Sequence, residues 1–488
     1  MLKPLSSDEA RRLREFLTES HYTAAQFRET PALRDPPNRS GNLPVLLERT
    51  REPSPLSVLL RWFFLGVPQE AQAVAGLVPE PMLRLMLECG FLQAAGGRLS
   101  ATVLLTPWDD CVFASDPAAR TRSAQSADAV VLTGGSTRML LLFTMRVPAQ
   151  VTLDLGAGCG IQGILAARHS RQVVATDLNP RAEEFTLFNA SLNGVGNIEC
   201  LTGDTFEPVR GRTFDRILAN PPFFVTPGSG CLYCETSMEL DQYCRRVVRE
   251  AALHLNEGGW LQVLLEWAKV RGQPWEEKLR EWLDSTGCDA WVLRGYARDA
   301  AGYAAERMRE QFDNDVSPAR FGEWMAYYRQ QGVEEVHGGV LTMRRRSGKN
   351  WIRIEDMPVD PQEPVGDSIL ETFATLDLLA ACARDEDLLR TRPRLSPQAH
   401  LQQKFRASGG KWAGESLLLQ SAAGIPVAPL AVEKSVAGFL ARCDGSRTLE
   451  DLAEELASGL KVGAESVRQQ CCAVVRKLAG LRLVHLSG

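Results

Sequence analysis

The chain has 488 residues, 24% of them charged and 44% hydrophobic, with a formal net charge of −5; that is apolar material for two or three separate cores, so more than one domain is expected. No stretch reaches the ~18 uninterrupted apolar residues of a membrane helix, since even Val58 to Leu65 is broken by Arg61, and a soluble protein is expected. The N-terminus, with Ser6, Asp8 and Glu9 ahead of Arg11, lacks the pattern of a secretory signal, and the twelve cysteines form no dense framework, which points to the cytoplasm.

Residues 1 to 105 read as a mainly helical, winged-helix-like domain. Ser7-Asp8-Glu9 cap a helix carrying Leu13, Phe16 and Leu17, and an apolar helix follows around Val58 to Leu65. A helix over Met82 to Cys89, a Gly96-Gly97 turn and the β-rich run Ser100 to Leu105 suggest a closing wing.

From 106 to 346 short apolar strands alternate with helical stretches, an α/β pattern. The expected strands are Val151 to Leu155, Gln172 to Asp177, Ile198 to Leu201, Phe214 to Ala219, Trp260 to Glu266, Asp289 to Leu293 and Val340 to Arg344. Ala300 to Gln331 is too long for a plain connection and reads as a helical insertion before the last strand. Pro358 to Pro364 forms a linker, and residues 365 to 488 form a third domain, either α/β or winged-helix-like. It ends in three helical patterns, Ser435 to Leu440, Leu449 to Ala457 and Ala464 to Leu478, and a strand, Leu481 to Leu486. Residues 390 to 488 hold 14 basic and 8 acidic side chains, as suits a nucleic-acid contact or an ordinary solvated surface.

The run Val151-Thr-Leu-Asp-Leu-Gly-Ala-Gly-Cys-Gly160 passes from a buried strand into Gly156, Gly158 and Gly160. Glycines there permit a tight strand-to-helix turn and let a ligand approach the backbone. Gly158-Cys-Gly160-Ile-Gln-Gly163 also fits a dinucleotide fingerprint, and Asp177 at the end of the next strand suits ribose hydroxyls in either case. Asp154 separates the two. Two residues before the first glycine it would repel a pyrophosphate, whereas it can hold the amino group of S-adenosylmethionine or the nearby backbone. Asn220-Pro221-Pro222-Phe223 follows the strand Phe214 to Ala219, at the carboxyl edge where α/β sheets bind ligands.

These two motifs, in this order, resemble the class I S-adenosylmethionine-dependent methyltransferases of the small-domain group, which carry D-x-G-x-G-x-G and N-P-P-[YF]. That group includes release-factor glutamine N5-methyltransferases and N6-adenine and N2-guanine methyltransferases of nucleic acids. The resemblance covers roughly Asp128 to Met343 and implies a Rossmann-like sheet of seven strands. It further implies S-adenosylmethionine bound by Asp154, Gly156, Gly158, Gly160, Asp177 and Asn220, with Asp204 on the adenine amino group and Thr133 to Arg138 over the methionine end.

Asn220, Pro221, Pro222 and Phe223 are the expected catalytic residues. An amide or aromatic amine delocalises its lone pair, so the Asn220 side-chain oxygen and the Pro221 carbonyl would accept its two N-H hydrogens and free the lone pair for the methyl carbon. Paired prolines supply no N-H of their own, and Phe223 offers a face for stacking, with Phe224 a second. No general base is assigned, because the proton leaves once transfer has made the nitrogen acidic.

Cys231 and Cys234 are spaced C-x-x-C, with Cys244 and His254 further on. Lacking a second such pair they read as free thiols, and no metal is expected. Arg344 to Arg346 with Lys349 form a basic turn that suits either phosphate or solvent. Where relatives carry an arginine-aspartate-glycine type of sequence, this chain has Tyr233-Cys234-Glu235-Thr236. The expected activity is N-methylation of a planar amide or exocyclic amine on a macromolecule, either RNA or the ribosome, or a translation protein through glutamine. The rival from another class is a non-catalytic protein that binds S-adenosylmethionine and nucleic acid.

Overall fold

The computed structural model describes residues 2–487 apart from 31–32, 34–42, 118–127, 132–133, 229–237, 312–316, 422–423 and 426. Contacts divide the chain into two compact units. The first holds residues 1–140 and 147–355, the second 141–146 and 356–488.

The first unit is built on one eight-stranded sheet. Its strands in chain order are β1 (Ala149–Leu155), β2 (Ser170–Asp177), β3 (Ile198–Thr202), β4 (Phe214–Ala219), β5 (Leu255–Val270), β6 (Cys288–Asp299), β7 (Val333–Arg345) and β8 (Ile352–Asp356). Across the sheet the order is β3-β2-β1-β4-β5-β7-β6-β8. β1 to β5 run parallel, and β7 lies antiparallel between β5 and β6. All seven expected strands are present, and β8 is an addition at the edge. The strand order reverses direction between β1 and β4, and a crevice opens at the carboxyl ends of such a pair.

Helices α1 (Ile161–Ala166), α2 (Pro180–Leu192), α3 (Gln242–Leu253) and α4 (Trp275–Leu283) connect the strands, and α5 (Ala300–Gln311) and α6 (Pro318–Gln331) form the insertion before β7. α3 and α4 seal one face: Cys244, Val247, Val248, Ala251, Leu279 and Trp282 pack on Leu153, Ile217, Val263, Leu265 and Leu341, all nearly inaccessible to solvent. α3 can do this because its apolar residues recur at helical spacing while its arginines face outward.

The N-terminal residues belong to the same unit. A helix over Ser7–Glu19 starts in a capping box made by Ser6 and Glu9. The hairpin Leu92–Ala95 with Arg98–Ala101 follows the helix Glu80–Glu88, as a wing would. This layer packs on α2, where the Phe91 and Phe188 rings lie 5.1 Å apart. Asn189, fully buried, accepts from the Ala114 N–H at 2.8 Å and donates to the Ala114 and Cys159 carbonyls at 2.9 and 2.8 Å, tying the hairpin of residues 104–115 to the glycine turn.

In the second unit, helices Lys434–Leu440, Leu449–Leu460 and Ala464–Gly480 enclose a core around Leu440, Leu452, Val475 and Leu483. The strand Val484–Ser487 pairs antiparallel with Arg392–Leu395. A long hairpin, Ala399–Ser408 with Lys411–Ser421, was not among the sequence expectations.

Candidate active site

The glycine run and the Asn-Pro-Pro-Phe run leave neighbouring strands at the same level. Leu155, the last residue of β1, is the register partner of Ala219, the last of β4. A Cβ placed on Gly156 would lie 3.9 Å from the Asn220 carbonyl oxygen and 3.9 Å from the Pro221 Cα. The two turns therefore face each other across the point where the strand order reverses.

Gly156, Gly158 and Gly160 have φ of +74°, +56° and +81°, a region that favours glycine. Gly160 is also demanded by packing, because a Cβ would meet Thr186 Cγ2 of α2 at 2.7 Å. Gly156 is exposed and Gly158 partly so, leaving the turn open to a ligand.

Asp177, at the end of β2, accepts from the Gly158 N–H with Oδ2 and from the Asn179 N–H with Oδ1, each at 2.8 Å. Burial pushes its carboxyl up from the ordinary range, against the pull of these N–H groups. Beside it Leu178 is 55% exposed, an apolar side chain at the sheet edge that the sequence did not single out.

Asp154 holds the backbone behind the glycine turn. Its side chain is 1% exposed, and Oδ2 accepts from the Gly163 N–H at 2.7 Å. A Cβ on Gly163 would sit 2.9 Å from that oxygen, so this glycine lets the carboxylate reach the helix start. Burial pushes the Asp154 carboxyl up to about 7, with the Asp177 charge adding to the rise. The neighbouring Cys159 thiol is pushed up to about 12 by burial and stays protonated and inert at neutral pH.

Asp204 lies in the turn after β3. Its Oδ1 accepts from Thr205 Oγ1 at 2.7 Å and its Oδ2 from Arg246 Nη1 at 2.9 Å, and these bonds, the threonine first, hold its carboxyl below the usual range. Each oxygen keeps a lone pair for a further donor.

Asn220 donates from Nδ2 toward Ser136 Oγ at 3.4 Å and Thr137 Oγ1 at 3.5 Å. Its Oδ1 is buried and has no hydrogen-bond partner. Both hydroxyls belong to the first turn of the helix Gly135–Phe143, and Thr137 is fixed by Gln162 Nε2 of α1, which donates to its carbonyl at 3.2 Å. Of the segment Thr133 to Arg138, Thr133 lies outside the described residues, and Ser136 and Thr137 are the residues beside the site.

Pro221 is buried, while Pro222, Phe223 and Phe224 are half-buried. The rings of Phe223 and Phe224 meet edge-on at 5.4 Å, and the Arg307 guanidinium lies 4.7 Å over Phe224. The helical insertion clamps the next residue along the chain: Tyr303 of α5 accepts from the Val225 N–H at 3.1 Å, and Tyr328 of α6 donates to the Val225 carbonyl at 2.7 Å. Tyr303 and Tyr296 also donate to Glu266, a β5 residue whose carboxyl is raised by burial. The sequence expectations did not include Glu266, Tyr303 or Tyr328. The only signal was the length of Ala300 to Gln331, which marked an insertion without saying what it holds.

Cys231, Cys234 and the run from Tyr233 to Thr236 lie outside the described residues. Cys244 is buried in the α3 core and His254 Nδ1 shares a hydrogen bond with the Arg212 carbonyl at 2.8 Å. The basic turn after β7 does not stand free: Arg344 donates to the fully buried Asp289 at 2.7 Å and Arg346 approaches it at 3.5 Å.

A parallel sheet with β7 inserted antiparallel, a glycine turn at the strand-order reversal and an Asn-Pro-Pro-Phe turn facing it are the arrangement expected of a class I methyltransferase sheet. Residues 132–286 match the family model described as the methyltransferase small domain. Ribosomal RNA small subunit methyltransferase C of Escherichia coli K12 is 34% identical over 132 residues, 27% of this chain and 35% of that protein. The chain thus spans about a third of the length of the curated relatives it matches. Among solved structures, Trm5b from Pyrococcus abyssi is 20% identical, with 52% of this chain and 62% of that one covered and a TM-score of 0.31. TYW2 of M. jannaschii, solved with AdoMet, is 15% identical, with 51% and 90% covered and a TM-score of 0.30. No helix among the described residues is long and apolar enough to cross a membrane.

The donor set suits S-adenosylmethionine. The exposed Gly156 end of the glycine turn, whose N–H groups are already bonded within the protein, an exposed apolar side chain at the end of β2, and the carboxylates of Asp154 and Asp177 favour a cationic, ribose-bearing ligand over a pyrophosphate.

Proposed function

We propose that the first unit transfers a methyl group from S-adenosylmethionine to a planar nitrogen on a macromolecule, and that this nitrogen is the exocyclic amine of an RNA base. The observation that carries the proposal is Asn220 Oδ1, a buried acceptor without a partner, on a residue whose backbone carbonyl faces the glycine turn. An orphaned buried acceptor costs roughly 1–3 kcal/mol, a cost removed when an N–H donor enters.

S-adenosylmethionine supplies an electrophilic methyl carbon when it lies over Gly156 to Gly160. Asp177 would accept from its ribose hydroxyls, Asp204 would accept from its adenine amine, and Asp154 would keep the turn in shape through Gly163. The hydroxyls of Ser136 and Thr137 hold the Asn220 nitrogen, so its oxygen is left to face the acceptor amine. With that oxygen and the Pro221 carbonyl taking the two N–H hydrogens, the lone pair turns toward the methyl carbon and the developing charge is stabilised. Phe223 stacks on the base, and Tyr303 and Tyr328 fix the Val225 end of the turn.

RNA is favoured over a protein glutamine by the ribosomal RNA methyltransferase among the relatives and by the basic residues 390–488. A cytoplasmic site of action goes with that substrate. Tritiated methyl transfer from S-adenosylmethionine into total RNA and total protein, by wild type and by Asn220→Ala, tests it. Label in RNA with wild type, lost in the variant, is the expected result. Label confined to protein would move the acceptor to glutamine, and label in neither would leave a binding protein.

A further inference from the structure

Phe405 and Trp412 are the only aromatic side chains in the exposed class among the described residues, at 53% and 74% exposure. Both lie on the long hairpin of the second unit. Its strands turn at Gly409-Gly410, with φ of +58° and +76°, the two-residue geometry that glycine pairs favour. Phe405 pairs with Gly414 and Ala407 with Trp412, so both rings stand on one face of the ribbon, in diagonal positions. Leu401, 49% exposed, shares that face, and at the base the same face buries Leu419 in the core. The apolar stripe therefore starts in the core and runs out along a projecting ribbon into solvent.

The opposite face is basic. Lys404 and Arg406 alternate with Phe405, and Lys411 precedes Trp412; the one acid on these strands, Glu415, is paired with Arg406. A bulge between Lys404 and Phe405 sharpens the local twist of the ribbon. Alternating rings and cations are the chemistry that holds an unpaired polynucleotide, with bases stacked on aromatics and phosphates met by lysine and arginine. Diagonal ribbon positions are about 7–8 Å apart, against about 3.4 Å between bases stacked in a duplex. The spacing thus admits two splayed bases and not two stacked ones.

We propose that this hairpin is a docking platform for a single strand of RNA, with bases on Phe405 and Trp412 and phosphates on Lys404 and Lys411. The choice of RNA over DNA rests on the proposed methyltransferase substrate; the platform itself does not. The test is fluorescence anisotropy of the full chain with a labelled, unstructured oligouridine of about 15 nucleotides, its DNA counterpart and a duplex of equal length.

Phe405→Ala with Trp412→Ala is expected to weaken oligouridine binding at least about tenfold. Lys404→Glu with Lys411→Glu is expected to lower the salt dependence of binding by about 1.4 in log–log slope. Both variants should keep the wild-type circular dichroism spectrum and urea unfolding transition of the full chain, which shows that both units are folded. Equal binding of RNA and DNA would support a platform that does not read the 2′-hydroxyl. Unchanged binding in the aromatic variant, tighter binding of the duplex, or loss of a wild-type dimer in sedimentation on removing the rings would overturn the inference. Hairpin-dependent binding without any methyl transfer would leave the platform standing and remove the proposed reaction.

Discussion

Asn220 is held at its nitrogen and left without a partner at its buried oxygen, and the two hydroxyls that hold it lie at the start of one helix. Such an arrangement presets an acceptor before any substrate arrives. Asp154 answers to a different constraint. With its carboxyl raised to about 7 by burial, against an unfolded value near 3.9, the native state binds more protons than the unfolded one between about pH 4 and 7. Stability contributed by the neutral form is therefore lost as pH rises through that window, by at most about 1.4 kcal/mol per unit. Asp154→Asn keeps an acceptor for Gly163 and removes the titration. In urea unfolding the wild type should lose more stability between pH 5 and pH 8 than the variant, and parallel losses would show that Asp154 is not buried as described.

The elements of the sheet were legible where burial is continuous. Seven strands could be read because each carries short apolar stretches between helical patterns, whereas the strand order, with its reversal between β1 and β4, is seen only in the fold. β5 was read as Trp260 to Glu266 yet spans Leu255–Val270, because its polar, glycine-containing start is extended by pairing with neighbours and not by its own propensity. The exposed hairpin went unread for a related reason. Its outer half has no buried face, so no apolar–polar alternation marks it, and only the Gly409-Gly410 pair pointed to it. In the site, the glycines, Asp177 and Asn220 lie within short motifs, whereas Glu266, Tyr303 and Tyr328 reach Val225 from distant parts of the chain. The turn between β1 and α1 also yields a prediction. Gly160→Ala meets Thr186 of α2 and a left-handed φ, and should destabilise the protein by about 1–3 kcal/mol in urea unfolding. Adding Thr186→Ala should recover part of that loss; an unfolding midpoint untouched by Gly160→Ala would contradict the packing of α1 on α2.

At the scale of the whole chain, chemistry and recognition are assigned to different units. The first unit joins the N-terminal layer and the eight-stranded sheet in one set of contacts, while the second carries the basic C-terminal residues and the exposed ribbon. The proposed reaction depends only on the first. Its central claim is that S-adenosylmethionine lies over the glycine turn with its methyl carbon toward Asn220, and calorimetric titration of the full chain with S-adenosylmethionine tests this most directly when wild type, Asp177→Ala and Asn220→Ala are compared. Wild type should bind one equivalent, Asp177→Ala should bind about 10- to 100-fold more weakly through loss of a charged hydrogen-bond acceptor, and Asn220→Ala should bind as wild type does while transferring no label. Absence of binding by wild type, or an equal loss of affinity in both variants, would contradict the account.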